Sequence, residues 1–145
     1  MKILMVCLGN ICRSPLAEGV MRHLATERGL KWEIDSAGTG SWHIGHSPDH
    51  RSVKEARKNG VDISSLKGRQ FQAADFDTFD RIYVMDRNNY ADVIRTARNG
   101  ADKAKVQFLL PGQQEVPDPY YDDKMFAPVY KMIYEACDAI TAQQQ

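Results

Sequence analysis

The sequence predicts a single-domain α/β fold: a three-layer sandwich in which a four-stranded parallel sheet is flanked by helices, with a ligand-binding loop after the first strand. Three observations predict it. Short apolar runs alternate with helical periodicities along the whole chain, which is how a parallel sheet with crossover helices appears in sequence. The 145 residues fall within the size of one domain, expected here to span 1–145. The composition is 43% hydrophobic, 26% charged and 9% aromatic, enough to bury a core without disulfide or metal staples.

The strands are predicted at Lys2–Cys7, Trp32–Asp35, Arg81–Met85 and Val106–Leu110. The first contains the longest apolar run, Ile3–Leu8, which is far below the ~18 residues a membrane helix needs. It gives way to Gly9, Asn10 and Arg13 instead of a small-residue cleavage site, so it reads as a strand and not a targeting segment.

After it, Leu16, Val20 and Leu24 recur at i, i+4 spacing, with Pro15 placed to begin a helix and Gly29 to stop it. The same stop is expected at Asn59-Gly60, after a helix from about Pro48, and at Asn99-Gly100, after one from about Arg87. A last helix places Phe126, Val129, Tyr130, Ile133, Cys137 and Ile140 on one core-facing stripe, and a frayed tail is expected over Gln143–Gln145. Thr39–Pro48 and Pro111–Lys124 are too long and too rich in turn formers to be simple connections, and long loops in compact domains are disproportionately functional.

Lys plus Arg balance Asp plus Glu at 19 each, for a net charge of zero. That excludes a general nucleic-acid binder, which needs a basic excess, so any anion site has to be local. Three cysteines, Cys7, Cys12 and Cys137, are an odd number and argue against a disulfide framework and for a reducing, cytoplasmic location.

The most informative stretch is Val6-Cys7-Leu8-Gly9-Asn10-Ile11-Cys12-Arg13-Ser14-Pro15. It joins a strand to a helix, and in an α/β sheet ligands bind at the carboxyl ends of the strands. A short loop curling into a helix N-terminus turns successive N–H groups inward as an anion nest, with the helix dipole adding partial positive charge. Gly9 and Asn10 tolerate the left-handed backbone this requires. The same field favours a thiolate at Cys7. Arg13 supplies a planar fork for two phosphoryl oxygens, and the Ser14 hydroxyl can donate to the sulfur. No Gly-Lys-Ser/Thr of a nucleotide P-loop is present, and the Cys7–Cys12 spacing is not that of a Cys-x2-Cys redox or zinc pair.

Cleaving a phosphate ester also needs an acid facing the nucleophile. Asp118 sits in Val116-Pro117-Asp118-Pro119-Tyr120-Tyr121, stiffened by prolines on both sides, but spacing alone leaves Asp122 and Asp123 open. Trp42, His43, Tyr120 and Tyr121 lie on the two long loops, where aromatic walls would accept a phenyl ring. His43, His46 and His50 lack nearby cysteines or clustered acids and are expected to be polar loop residues, with no metal and no cofactor.

Val6–Pro15 resembles the signature of the low-molecular-weight protein tyrosine phosphatases, Val-Cys-x-Gly-Asn-x-Cys-Arg-Ser-Pro. The likeness extends to Asp35-Ser36-Ala37-Gly38-Thr39, Ser47-Pro48-Asp49, Phe79-Asp80 through Met85-Asp86, and Asp118-Pro119-Tyr120, and so covers nearly the whole chain. The resemblance implies Cys7 as nucleophile and Arg13 with the loop residues Leu8, Gly9, Asn10, Ile11, Cys12 and Ser14 as the phosphate cradle. It implies Asp118 as general acid and Asn10 and Ser36 as braces of the loop. It also implies Trp42 and Tyr120 as cleft walls and Cys12 as a reversible disulfide partner of Cys7. A histidine that many relatives carry near Leu66 is missing.

The expected reaction is hydrolysis of phosphotyrosine, in a protein or a small aryl phosphate, through a cysteinyl phosphate, with inorganic phosphate as product. The protein itself is expected to be mainly a monomer, at most a weak dimer, with no nucleic-acid or membrane partner. Two alternatives stand beside this. An arsenate reductase on the same scaffold would relay oxidation through further cysteines, which Arg69–Asn99 does not contain. A non-hydrolytic cysteine phosphocarrier would not need Asp118.

Overall fold

In the computed structural model, which describes residues 1–143, four parallel strands form one sheet in the order β2-β1-β3-β4. They are β1 (Lys2–Cys7), β2 (Glu33–Gly38), β3 (Arg81–Val84) and β4 (Val106–Phe108). Helix α1 (Arg13–Glu27) connects β1 to β2, α2 (His50–Lys58) and α3 (Asp75–Thr78) lie between β2 and β3, and α4 (Arg87–Thr96) and α5 (Gly100–Ala104) lead to β4. The last element is α6 (Phe126–Ala142).

Side chains of β1 alternate between the faces, as the period of a strand requires. Ile3, Met5 and Cys7 join Leu16, Val20, Leu24, Val129, Ile133 and Cys137 in a core under α1 and α6. Leu4 and Val6 join Phe76, Ile82, Val84 and Val93 in a second core under α3 and α4. A strand buried on both faces explains why β1 reads as an unbroken apolar run.

From β1 the chain passes to β2 on one side and then to β3 on the other. Where the direction of travel reverses, the two crossovers diverge and leave a crevice at the carboxyl end of β1, the position at which such sheets bind ligands.

Several sequence boundaries shift. Strand β2 was expected at Trp32–Asp35 but runs Glu33–Gly38, pairing through Val6↔Ala37 and Cys7↔Gly38. Asp35-Ser36-Ala37-Gly38 is polar and small, because Ser36 is buried for hydrogen bonding and Gly38 for close approach. Strands β3 and β4 end at Val84 and Phe108, short of Met85 and Leu110.

Helix α1 starts at Arg13, so Pro15 sits within the first turn, where its missing N–H would have no partner in any case. Gly29 and Gly60 take left-handed φ values of 70° and 79°, as a helix stop requires. Asn99-Gly100 does not: α4 ends at Thr96, and Asn99 instead caps α5 by accepting from Asp102 N at 2.8 Å. Asn serves at either end of a helix, and its side-chain acceptor decided the matter here. Gln143 caps α6, while Gln144 and Gln145 lie outside the described residues.

Candidate active site

The loop from Leu8 to Cys12 curls over the end of β1 and enters α1. Its carbonyls face outward: Cys7 O accepts from Thr39 N at 2.9 Å, Leu8 O from Gly40 N at 2.9 Å and Ile11 O from Asp49 N at 2.8 Å. Because each peptide is trans and planar, the N–H groups of Leu8, Gly9 and Cys12 point the opposite way. Among the described residues, the N–H groups of Gly9, Asn10, Ile11 and Cys12 donate to no protein acceptor. The curl needs Asn10 at φ 57°, and it needs Gly38 beneath it, where a Cβ would stand 2.8 Å from Leu8 O.

Cys7 is buried on the floor of this concavity. Its Sγ lies 3.0 Å from Ser14 Oγ and 3.4 Å from Ser14 N. Asn10 Nδ2 donates to Ser14 Oγ at 2.8 Å and to Ser36 Oγ at 3.0 Å, and Ser36 donates onward to Glu18 Oε1 at 2.7 Å. With an amide proton already entering Ser14 Oγ, its own hydroxyl proton is free to turn to the sulfur. Glu18 anchors this chain of hydrogen bonds from α1, and burial pushes its carboxyl up from the ordinary value against the pull of Ser36 and Arg22.

The remaining end of the Asn10 amide is held by backbone. Asn10 Oδ1 accepts from Arg69 N at 3.0 Å, Arg69 itself being fixed by Asp35 and Asp75, while Leu66 packs against the core.

Arg13 is buried, and its Nη1 donates to Asp86 Oδ2 at 2.7 Å and to Val116 O at 2.9 Å. Burial works against its charge, but Cys7, Asp86 and Asp118 outweigh it and hold the guanidinium protonated. Its Nη2 stands 3.8 Å from Asp118 Oδ2. Asp118 in turn accepts from Tyr120 N at 3.1 Å.

Cys12 has its thiol pushed up to about 12, chiefly by burial and then by the charges of Asp49, Cys7 and Asp118. It is therefore a neutral thiol at pH 7. Cys137 is sealed in the core, and burial raises its thiol too.

One cavity of about 330 Å³ brings together Cys7, Arg13 and Asp118 with the sequence-predicted walls Trp42, His43, Tyr120 and Tyr121. Leu8, Gly9, Ile11 and Cys12 line it as well, whereas the buried side chains of Asn10, Ser14 and Ser36 bond to one another behind the loop. Trp42 and Tyr121 are 66% and 91% exposed, so they form an outer rim and not a packed wall. His43 and His46 pair through Nδ1 atoms 3.2 Å apart, while His50 lies on α2 beside Asp49.

Asp86, Glu18, Val116 and the Arg69 N–H were missed as parts of the site. Asp86 carried a readable signal, an acid directly beyond the carboxyl end of a parallel strand. The other three did not, since one lies mid-helix and two act through backbone atoms.

Comparison with known proteins places this geometry. Residues 2–145 match the sequence model of the family described as low molecular weight phosphotyrosine protein phosphatase. The low molecular weight phosphotyrosine protein phosphatase of Gallus gallus is 41% identical, covering 94% of this chain and 91% of its own. The protein tyrosine phosphatase of Entamoeba histolytica, solved with Hepes in its active site, superposes with a TM-score of 0.91 at 37% identity, covering 99% of this chain and 96% of its own. A Drosophila protein described as an arginine phosphatase superposes with a TM-score of 0.92 at 32% identity, covering 100% of this chain and 98% of its own. The chain belongs to the low-molecular-weight phosphotyrosine protein phosphatase family.

Proposed function

We propose that this chain is a single-domain protein tyrosine phosphatase that hydrolyses phosphotyrosine, in proteins or as small aryl phosphates, through a cysteinyl-phosphate intermediate. The observation that carries the reading is the convergence of Cys7, Arg13 and Asp118 on one cavity rimmed by aromatic side chains.

The ester's phosphoryl group enters the nest with its non-bridging oxygens toward the loop N–H groups and the Arg13 fork. Cys7 sulfur attacks phosphorus in line. The S–P bond forms as the P–O bond to the phenol breaks, and protonated Asp118 delivers its proton to the departing oxygen. Asp118, now a carboxylate, takes a proton from water as that water attacks phosphorus. The P–O bond forms, the S–P bond breaks, and Cys7 thiolate and inorganic phosphate are released. Each step uses side chains of this protein and water.

The walls favour an aryl ester. Leu8, Ile11, Trp42 and Tyr120 offer apolar surface, and Asp118 is the one carboxylate lining the cavity among the described residues, so a phosphorylated guanidinium would find little to pair with. The arsenate reductase alternative is disfavoured because Cys137 is buried in the core under α6 and is absent from the cavity lining. A phosphocarrier would have no use for Asp118 at the cavity.

Cys12 fits a protective role. Peroxide would oxidise Cys7 to a sulfenic acid, and the Cys12 thiol would then displace water to form a disulfide that cellular thiols reduce. Both residues line the same cavity. The three buried cysteines suit a reducing, cytoplasmic setting, and among the described residues no helix is long and apolar enough to cross a membrane. We expect a monomer that associates weakly at most.

The test is phosphate release from phosphotyrosine, phenyl phosphate and phosphoarginine by wild type, Cys7→Ser and Asp118→Ala. Wild type should prefer the aryl esters, Cys7→Ser should be inactive, and Asp118→Ala should lose about 10²-fold or more on phenyl phosphate. Turnover by Cys7→Ser, or preference for phosphoarginine, would overturn the reading.

A further inference from the structure

The segment that carries Asp118 is thinly anchored. At its start, Val116 N donates to Met85 O at 2.8 Å and Val116 O accepts from Arg13 at 2.9 Å. Beyond Pro117 its backbone N–H groups donate locally: Tyr120 N to Asp118 at 3.1 Å, Asp122 N to Pro119 O at 3.1 Å and Lys124 N to Asp122 at 3.0 Å. Its long-range polar contacts, among the described residues, go to two guanidinium groups. One is Arg13, across from Asp118. The other is Arg51, on the first turn of α2.

Arg51 grips the segment in three ways. Its Nη1 donates to Asp123 Oδ1 at 2.6 Å, and its guanidinium carbon lies 5.4 Å from the ring centre of Tyr120 and 4.6 Å from that of Phe126. The same side chain is held from behind by both oxygens of Asp49, Nε to Oδ1 at 3.0 Å and Nη2 to Oδ2 at 2.8 Å. Asp49 N, finally, donates to Ile11 O of the phosphate loop at 2.8 Å. A continuous path therefore runs from the nucleophile's loop through Asp49 and Arg51, neither of which lines the cavity, to Tyr120, Asp123 and Phe126 on the C-terminal side of the acid.

Resting on the phosphatase reading, we propose that Arg51 is a positioning residue: it ties the acid loop to the phosphate loop and so fixes where Asp118 stands over the bound ester. An exposed ion pair such as Arg51–Asp123 contributes little to stability. Its geometric consequence is larger, because a general acid has to reach the leaving oxygen within about 2.6–3.2 Å, and a displacement of about 1 Å can cost up to 10²-fold. Planar, bidentate pairing to Asp49 with both rings covered is a task for arginine that lysine cannot reproduce.

The experiment compares wild type, Arg51→Met, Arg51→Lys and Asp123→Asn, each also combined with Asp118→Asn. It measures kcat/KM for phenyl phosphate and for an aryl phosphate with a strongly acidic phenol, the inhibition constant of inorganic phosphate, and Tm. Arg51→Met retains an apolar stem over Tyr120 and Phe126. It should lose about tenfold on phenyl phosphate and less than about twofold on the activated ester, with phosphate inhibition unchanged. Arg51→Lys should restore little, and Asp123→Asn should lose in the same direction by less. On the Asp118→Asn background Arg51→Met should cost nothing further, as expected for residues acting as a unit.

Equal loss on both esters, loss that multiplies with Asp118→Asn, or weakened phosphate inhibition would overturn the proposal. If Arg51→Met does not fold, Asp123→Asn, at an 83% exposed side chain, decides alone. Absence of phosphate release by wild type would instead overturn the phosphatase reading, and this proposal with it.

Discussion

Asp86 gives one carboxylate oxygen to Arg13 and the other to a helix: Oδ2 accepts from Arg13 Nη1 at 2.7 Å, and Oδ1 accepts from Asn89 N at 2.7 Å as the N-cap of α4. Both oxygens are used, so an amide cannot replace the acid. Asn at this position would either cap α4 and turn an NH2 group toward Arg13, or serve Arg13 and abandon the cap. Asp86→Asn is expected to lower kcat/KM about 10²-fold by releasing Arg13, and to lower stability by about 1–3 kcal/mol through the orphaned buried donor. Steady-state kinetics with urea unfolding checks both.

Asn10 combines a backbone demand with a side-chain demand. Its φ of 57° is one glycine meets freely, and its amide joins Ser14, Ser36 and Arg69. Asn10→Gly keeps the backbone and loses the brace, whereas Asn10→Ala loses the brace and pays for the left-handed turn as well. Alanine is therefore expected to be less stable than glycine by about 1 kcal/mol, with both variants impaired in kcat/KM. Thermal unfolding of the two variants separates the terms. A Gly variant no more stable than Ala would show that the side chain, and not the backbone, holds the loop.

What could be read in advance divides along a physical line. Cys7, Arg13 and the turn formers between them are contiguous, so spacing exposed both the nest and its contents. Short apolar runs between helical periodicities marked the sheet, because a strand such as β1 is buried on both faces. Partners distant in sequence were legible only where the family resemblance named them, as for Asp118 and Ser36, and the others stayed hidden. Arg13 meets Asp86 across 73 positions and Val116 across 103, and nothing in either neighbourhood specifies the other. The Asn99 misreading has a local cause, an Asn competent at both ends of a helix, with only the tertiary course of the chain to choose between them.

Cys12 and Cys7 share a loop but differ in their expected chemistry. With its thiol pushed up to about 12 by burial and by Asp49, Cys7 and Asp118, Cys12 is almost wholly protonated at pH 7. Since the thiolate is the reactive form, brief iodoacetamide treatment at pH 7 is expected to label Cys7 in the native protein and to leave Cys12 and Cys137 unmodified. Peptide mass spectrometry reads this directly. In Cys7→Ser, one of the charges raising Cys12 is gone, but burial, the largest cause, remains, so labelling of Cys12 should still be slow. Rapid labelling there would mean that the loop opens in solution.

Asp49 makes the acid side of the stability curve testable. Its carboxyl lies below the ordinary value of 3.8, first because Arg51 donates to it and despite the opposing effect of burial. A carboxyl lowered on folding binds protons more readily in the unfolded chain. Its stabilisation is therefore complete above the ordinary value and is lost as pH falls through the lower, folded value. Glu18 acts in the opposite sense: its carboxyl is raised by burial, so its contribution declines as pH climbs above 4.5. The two overlap in a raw Tm curve, and the difference between wild type and Asp49→Asn isolates the first, since asparagine can still cap α2 through its oxygen. That difference is expected to be a few degrees, on the order of 1 kcal/mol, near pH 6. It should hold down to about pH 4 and close toward pH 2. The absence of a gap would show that Asp49 stabilises through its cap alone, and a gap that stays constant across this range would show that the ionised carboxylate's pairing with Arg51 contributes nothing to folding.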